Sequence, residues 1–187
     1  MTYTDGQLTD IVNNKSLTAT TRIKALRKLM GAADEEGRVD FWEDKIATEN
    51  VRRKITSLPD PFVWEGDFET ADIYTHTLPK DIYVSGALEI NHVMGADSIY
   101  NITAREIVLE ECSEKRKIYG HIKADRLVLI ASSVRALKSL LSECTLDIKD
   151  KVVVKCWGAY FKHSKQEEIK TFLHQKGIPK EKVGQYD

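Results

Sequence analysis

A pair of apolar residues, two positions apart, recurs through the middle of this chain at an almost constant interval. The pairs are Leu88 with Ile90, Ile107 with Leu109, Leu127 with Leu129, and Leu146 with Ile148, at steps of 19, 20 and 19 residues. A period near 20 residues is typical of solenoids, in which each unit adds a short parallel strand and stacks on its neighbours. Because one coil buries too little apolar surface by itself, the four units are expected to share one core.

Two further features accompany these pairs. Isoleucine followed by tyrosine precedes the first three at Ile82-Tyr83, Ile99-Tyr100 and Ile118-Tyr119, and Leu137 takes the corresponding place in the fourth unit. Small residues stand three positions before the first three pairs, at Ser85, Ala104 and Ala124. We therefore predict that the four units stack in phase.

Two of these segments resemble a known repeat family. Residues 104–112 (AREIVLEEC) and 124–132 (ADRLVLIAS) are similar to the core of leucine-rich repeats, and the resemblance covers about residues 82–151. The chain departs from that pattern where alanine or serine replaces the first leucine and where the asparagine ladder is missing, with Cys112 its only match. Short β-helices of the bactofilin type use equally short coils and compete with it. Either resemblance implies a stacked parallel sheet, and neither implies a chemistry.

The chain ahead of the repeat has helical periodicity. Apolar residues fall on one face of the segment 17–30, in which Thr18 suits the N-cap and Gly31 the end. A shorter helix is predicted over 5–14, and helical spacing resumes over 39–58, up to the following proline. These helices are expected to cover the first coil.

The chain after the repeat has the features of a cap. Valines 152–154 predict an extra strand, Ser164 and Glu167 have the spacing of a helix capping box, and Gly177 suits the end of that helix. We interpret three aromatic residues between them as packing of the cap: Trp157, Tyr160 and Phe161.

These patterns together predict an α+β fold. It consists of a helical N-terminal unit over 1–58, a parallel β-solenoid of about four coils over 59–161, and a C-terminal helical cap over 162–187.

Composition limits the kinds of partner and compartment. The 28 basic and 29 acidic side chains give a formal net charge of -1, which offers no general attraction for nucleic acid or anionic membranes. No apolar run approaches the roughly 20 residues that span a bilayer, and the first residues have no export-signal pattern. Cys112, Cys144 and Cys156 are interpreted as buried free thiols. We expect a cytoplasmic protein without a membrane partner, and no spacing predicts a metal or cofactor site.

Basic residues on the N-terminal helices leave open a nucleic-acid-binding alternative. They are Arg22, Lys24, Arg27 and Lys28 in one segment and Arg52, Arg53 and Lys54 in another. Acidic residues lie between the two groups and make the unit nearly neutral, which is typical of solvated helices. This interpretation disfavours nucleic acid as the partner.

The outward rows of the predicted sheet hold the candidate interface. Alternation along the strands places Val108, Val128 and Ile130 outside, surrounded by polar side chains. That rim consists of Glu106, Glu110, Arg126 and Lys149. An apolar centre with a polar rim is typical of a protein interface. The alternative is that another part of the chain packs on this face, since parallel sheets are usually covered on both sides.

Enzyme alternatives rest on two weaker sets of residues. Cys112, His121 and Asp125 have the residue types of a nucleophile, a base and an orienting group. Carboxylates for cleaving a polysaccharide could come from Glu89, Glu106, Glu110 and Asp125. Glycine-rich nucleotide motifs and a serine-hydrolase elbow are missing from the sequence.

The sequence therefore predicts a non-enzymatic protein-binding or adaptor module, with enzyme status left open. An inhibitor or modulator of a larger complex, such as a small accessory protein of bacteria or their viruses, would suit this architecture. Self-association through the terminal strand is a further prediction.

Overall fold

The computed structural model describes residues 3–35, 55–70, 78–90, 98–110, 117–131, 133–156 and 163–185. Within these ranges it has four helices and a parallel β-solenoid of about three turns, with helices at both ends. The predicted α+β class, with N-terminal helices, a parallel solenoid and a C-terminal helix, is thereby confirmed. No helix in the described ranges is long and apolar enough to cross a membrane.

Two helices begin the chain. Helix α1 (Asp5–Asn13) starts at a capping box formed by Thr4 and Gln7, and helix α2 (Ala19–Glu35) follows. The hydroxyl of Thr18 accepts from the backbone N–H of Thr21 at 3.3 Å, so this residue acts as predicted. Gly31 does not end α2, which continues for four more residues, because a glycine within a helix costs only about 1 kcal/mol.

The predicted helical segment over 39–58 is only partly within the described residues. Residues 55–58 are described, and they are not helical. Ile55 and Leu58 nevertheless lie in the core, at 0% and 5% exposure. The burial of these two residues was therefore predicted correctly, and the helix was not. The backbone at 55–58 leads into the solenoid directly ahead of Pro59, and a proline disfavours the helical conformation in the residue before it.

The strands form three faces. The first face contains β1 (Phe62–Trp64), β3 (Asp81–Val84), β6 (Asn101–Thr103) and the first parts of β9 (His121–Ala131) and β10 (Thr145–Cys156). The second face contains β2 (Phe68–Glu69), β4 (Ala87–Ile90), β7 (Glu106–Glu110), the later parts of β9 and β10, and β11 (Val183–Gln185). The third face pairs β5 (Ser98–Ile99) with β8 (Lys117–Ile118). Every pairing between these described strands is parallel.

Inward side chains stack in columns along these faces. On the second face Leu88, Ile107 and Leu127 are direct neighbours, as the repeat predicts. On the first face Ile82, Ile102 and Ile122 form an equivalent column that the sequence analysis did not identify. All six side chains are at most 3% exposed, so each contributes about 1.5–3 kcal/mol of gross hydrophobic burial.

The predicted position of the fourth unit is wrong. Leu146 and Ile148 lie beside Ile122 and Ala124 on the first face, and Val152 occupies the place beside Leu127. The reason is helix α3 (Val134–Leu141), which is inserted between β9 and β10 and lengthens this turn to 25 residues between Leu127 and Val152.

The predicted phase of the Ile-Tyr pairs is wrong for the first of them. Ile99 and Ile118 are neighbours on the third face, whereas Ile82 belongs to the first face. Leu137, assigned to the fourth unit of this feature, lies instead in α3, where it is buried. The same residue pair suits both faces: Ile82 on the first face and Ile118 on the third are buried, and the tyrosine after each is exposed.

The ends of the solenoid are covered by helices. Phe62 and Phe68 are buried at the first turn, with ring centroids 4.6 Å apart, and residues of α1 and α2 belong to the same core cluster. At the other end Ile169 and Leu173 of helix α4 (His163–Gln175) join that core.

The chain leaves α4 through a glycine turn. Gly177 has φ +87°, which L side chains rarely adopt, and the chain then passes through the 3₁₀ turn Lys180–Lys182 into β11. Ser164 lies inside the first turn of α4, not ahead of it. Trp157, Tyr160 and Phe161 lie outside the described residues.

Candidate binding surface

The structure brings together most of the predicted interface on the second face. Val108 lies beside Val128, and Glu110 lies beside Ile130. The carboxylate of Glu106 accepts from the guanidinium of Arg126 at 3.2 Å.

Lys149 does not join this group. It lies at the register shift between the two parts of β10, 3.8 Å from the carboxylate of Asp125, because the inserted helix α3 displaced the fourth unit. Val153 takes the position beside Val128. We call Val108, Val128, Ile130 and Val153 the valine cluster; they form a separate hydrophobic cluster outside the main core.

The valine cluster is mostly covered. Val128, Ile130 and Val153 are only 4%, 8% and 1% exposed within a single chain, and Val108 is half-buried. Atoms of the same chain therefore already shield the centre of this face. The alternative in which the chain packs on its own sheet accounts for this burial.

Four large exposed apolar side chains lie elsewhere on the solenoid, and two further ones, Tyr3 and Leu17, lie just ahead of α1 and α2. Val63 and Tyr83 are 49% and 44% exposed on the outer side of the first face, where β1 and β3 place them beside one another. Tyr100 and Tyr119 are 40% and 46% exposed at the corner where successive turns enter this face, and their ring centroids lie 5.9 Å apart. We call these four residues the tyrosine surface.

Local sequence explains why these side chains point outward. Three of them follow a buried residue: Val63 follows Phe62, Tyr83 follows Ile82, and Tyr119 follows Ile118. Side chains alternate between the two faces of a strand, so burial of the isoleucine exposes the tyrosine. The Ile-Tyr pairs were predicted as part of the repeat, but the exposure of their tyrosines was not predicted.

A cleft continues this surface towards the N-terminal helices. It lies between α2 and β1, has a volume of about 380 Å³, and is lined by Ala19, Thr20, Ile23, Lys24, Arg27, Pro61 and Val63. Arg27 is held in place, since its guanidinium lies 3.2 Å from the carboxylate of Glu65 and 5.4 Å from the ring centre of Trp64. Lys24 is exposed at the rim.

A column of polar side chains marks the start of each turn of the first face. Asp81 accepts from the side-chain amide of Asn101 at 2.7 Å, and the amide oxygen of Asn101 accepts from the backbone N–H of His121 at 3.1 Å. The ring Nδ1 of His121 in turn contacts the hydroxyl of Thr145. These contacts connect four neighbouring strands of the first face. The signal that could have found the column is a polar residue immediately before each inward residue at positions 82, 102, 122 and 146.

This column changes the interpretation of the catalytic candidates. His121 belongs to it, and Asp125 pairs with Lys149, so these two groups serve different contacts. Cys112 lies outside the described residues. Among the carboxylates proposed for sugar cleavage, Glu106 pairs with Arg126. The described part of the chain contains no group of His, Cys, Asp and Glu residues that could hold a metal ion.

Of the basic residues that left open a nucleic-acid alternative, three of the four that the structure describes make contacts within the protein: Arg22, Arg27 and Lys28. Arg22 is 6% exposed and donates from Nε to the carbonyl oxygen of Val12 at 2.6 Å, and burial lowers the pKa of its guanidinium. Lys28 lies over the ring of Tyr3, at 5.6 Å from its centre. Arg52, Arg53 and Lys54 lie outside the described residues. Arg22 is therefore a structural residue, not a phosphate contact.

The cysteine predictions can be checked at one position. Cys144 is 2% exposed and free, which confirms the predicted buried thiol there. Burial raises the pKa of this thiol to about 11, although the nearby charge of Lys176 acts in the opposite direction. A protonated buried thiol is chemically inert. Cys156 ends β10.

Comparisons with known protein families, with curated proteins and with solved structures find no match for this chain. The parallel solenoid is therefore established by the structure alone. A fold of this kind does not specify an activity, so the function depends on the surface that the solenoid presents.

Proposed function

We propose that this protein is a non-enzymatic binding module that recognises another protein through the tyrosine surface. The observation that carries the proposal is two pairs of exposed apolar side chains, each 40–49% exposed: Val63 beside Tyr83 on the first face, and Tyr100 beside Tyr119 at the corner that enters it. Large exposed apolar groups that lie together mark interaction sites far more often than isolated ones do. An adaptor, or a modulator of a larger complex, would use such a surface.

The chemistry of tyrosine supports a protein partner. Tyrosine offers a large apolar ring and a hydroxyl at little cost in conformational entropy, and it is enriched at protein interfaces. The strands hold the rings on a rigid support, since Tyr83 lies in β3 and the two corner tyrosines adjoin paired strands. A preorganised surface loses less entropy on binding.

The charges of the described residues support a protein over nucleic acid. The net charge is -1, and Arg22 and Arg27 are held by contacts within the chain. Binding driven by counterion release requires a clustered positive surface.

We also propose that the solenoid is closer to the short β-helices of the bactofilin type than to leucine-rich repeats. Support comes from the third turn, which has strands on three faces, β6, β7 and β5, whereas a leucine-rich repeat has one strand with a helix or 3₁₀ segment. A cytoplasmic location remains part of the proposal, and the free buried thiol of Cys144 is typical of a reducing compartment.

Photo-crosslinking in the cells that produce the protein tests the binding proposal. The photoreactive amino acid p-benzoylphenylalanine replaces Tyr83 in one variant and Lys165, exposed on α4, in the control. We expect a defined protein adduct from position 83 only, and its loss when Tyr100 and Tyr119 are both changed to serine. Equal labelling from both positions, or no adduct from position 83, would contradict the proposal.

A further inference from the structure

The α2–β1 cleft combines an apolar floor with a cation at its rim. Ile23, Pro61 and Val63 supply apolar atoms, and Lys24 stands exposed beside them on α2. Its volume of about 380 Å³ lies within the roughly 300–1,000 Å³ that is usual for ligand pockets. The cleft is therefore large enough to accept a side chain from outside.

The two cations that line the cleft are not equivalent. Arg27 is neutralised by Glu65 at 3.2 Å, with its guanidinium over Trp64. Lys24 forms no ion pair with any residue that the structure describes. An acidic group entering the cleft would therefore meet one uncompensated positive charge.

The cleft is continuous with the tyrosine surface. Val63 lines the cleft on one side and lies in register with Tyr83 on the other, at the spacing of about 4.8 Å that separates neighbouring strands. A partner on the tyrosine surface would extend over the cleft without changing direction.

We propose that the cleft binds an apolar side chain of the partner protein that has an aspartate or glutamate close to it in sequence. The apolar side chain fills the space above Ile23 and Pro61, and the carboxylate pairs with Lys24. This inference rests on the proposed function and adds the chemistry of the segment that is recognised: a short acidic and apolar stretch.

Selection from a phage-displayed library of random linear peptides tests this inference on the full chain. Wild-type protein serves as bait, and Lys24→Glu protein removes peptides that bind elsewhere. We expect enriched peptides that combine a bulky apolar residue with Asp or Glu. A synthetic copy of the strongest peptide should bind Lys24→Glu protein about tenfold more weakly, which is a usual effect of losing one charge contact.

Two further protein variants and a peptide of reversed charge test whether the weakening depends on the cleft and on the charge of Lys24. Lys28→Glu changes the same charge one helical turn away, outside the cleft, and should leave the affinity within about twofold because exposed charges are screened. Ala19→Phe should weaken binding by filling the cleft without changing its charge. A peptide with its acidic residue replaced by lysine should bind the Lys24→Glu protein better than the original peptide does.

Three outcomes would overturn the inference. They are the absence of enriched peptides, enrichment of neutral or basic peptides, and equal weakening by Lys24→Glu and Lys28→Glu. Light scattering, which measures the molar mass of the free protein, tests whether a second copy of the chain occupies the cleft. A dimer that Ala19→Phe converts to a monomer would show that the cleft mediates self-association and not binding of another protein. The adduct from Tyr83 in cells would survive any of these failures, so the two proposals are judged separately.

Discussion

The guanidinium of Arg22 donates to the carbonyl oxygen of Ser57 at 2.8 Å, which connects helix α2 to the segment that leads into the solenoid. The same side chain donates to the carbonyl oxygen of Val12 in α1 at 2.6 Å. One buried cation therefore holds three parts of the N-terminal cap together.

Replacing Arg22 by methionine should destabilise the protein by about 2–4 kcal/mol, because it leaves the carbonyl groups of Val12 and Ser57 without their donor. Urea unfolding followed by circular dichroism measures the change. Lys28→Met on the exposed side of the same helix is the control and should cost less than about 1 kcal/mol. Equal effects of the two substitutions would contradict a structural role for Arg22.

Replacing Val128 by aspartate should cost about 3–5 kcal/mol, because a carboxylate would be buried without a partner at a site that is 4% exposed. Val128→Thr, which buries only a hydroxyl, should cost about 1–3 kcal/mol and keeps the test possible if the aspartate variant does not fold. Val63→Asp is the matched control at 49% exposure and should cost less than about 1 kcal/mol. Similar stabilities of the Val128 and Val63 variants would show that the second face is open, as the predicted interface requires.

The raised thiol pKa of Cys144 predicts a loss of stability in alkaline solution. The unfolded chain loses this proton near pH 9 and the folded protein near pH 11, so the folded state binds more protons between these values and stability falls as pH rises. The loss is of the order of 2–3 kcal/mol by pH 11, at about 1.36 kcal/mol per pKa unit. Other groups titrate in this range, so the measurement is the difference in unfolding free energy between wild type and Cys144→Ala. A difference that is independent of pH from 8 to 11 would disprove the shift.

Replacing Gly120 by alanine should destabilise the solenoid by about 1–3 kcal/mol, because the new methyl group would collide with the carbonyl oxygen of Tyr100 and the side chain of Asn101 on the neighbouring turn. Thermal unfolding gives the change. Gly6→Ala in α1 is the control: its methyl group would come no closer than 4.0 Å to any neighbour, and helix propensity favours alanine, so stability should be unchanged or higher. A neutral Gly120→Ala variant would mean that successive turns approach less closely than described.

The first three units of the repeat could be predicted from sequence because their stacking depends on local rules. Strand alternation and a period of about 20 residues bring Leu88, Ile107 and Leu127 into one column without any knowledge of distant contacts. The same rules fail at Leu146, because spacing alone does not show that helix α3 is inserted between β9 and β10.

The candidate surface was predicted only in part. The outward direction of Val108 and Val128 follows from alternation, but their burial does not, since it depends on what else in the chain packs on that face. For Tyr83, Tyr100 and Tyr119 the reverse holds: the sequence predicts them as part of the repeat, and only the structure shows their exposure.

The amino-acid sequence by itself determined the class of fold, the helical caps and the stacking of the first turns, because burial periodicity and capping chemistry act over a few neighbouring residues. Only the tertiary structure decided the position of the last turn, the covering of the valine cluster and the meeting of α2 with β1 at the cleft. Those relationships depend on contacts between residues that are far apart in the sequence, and the spacing of side chains along the chain does not determine such contacts.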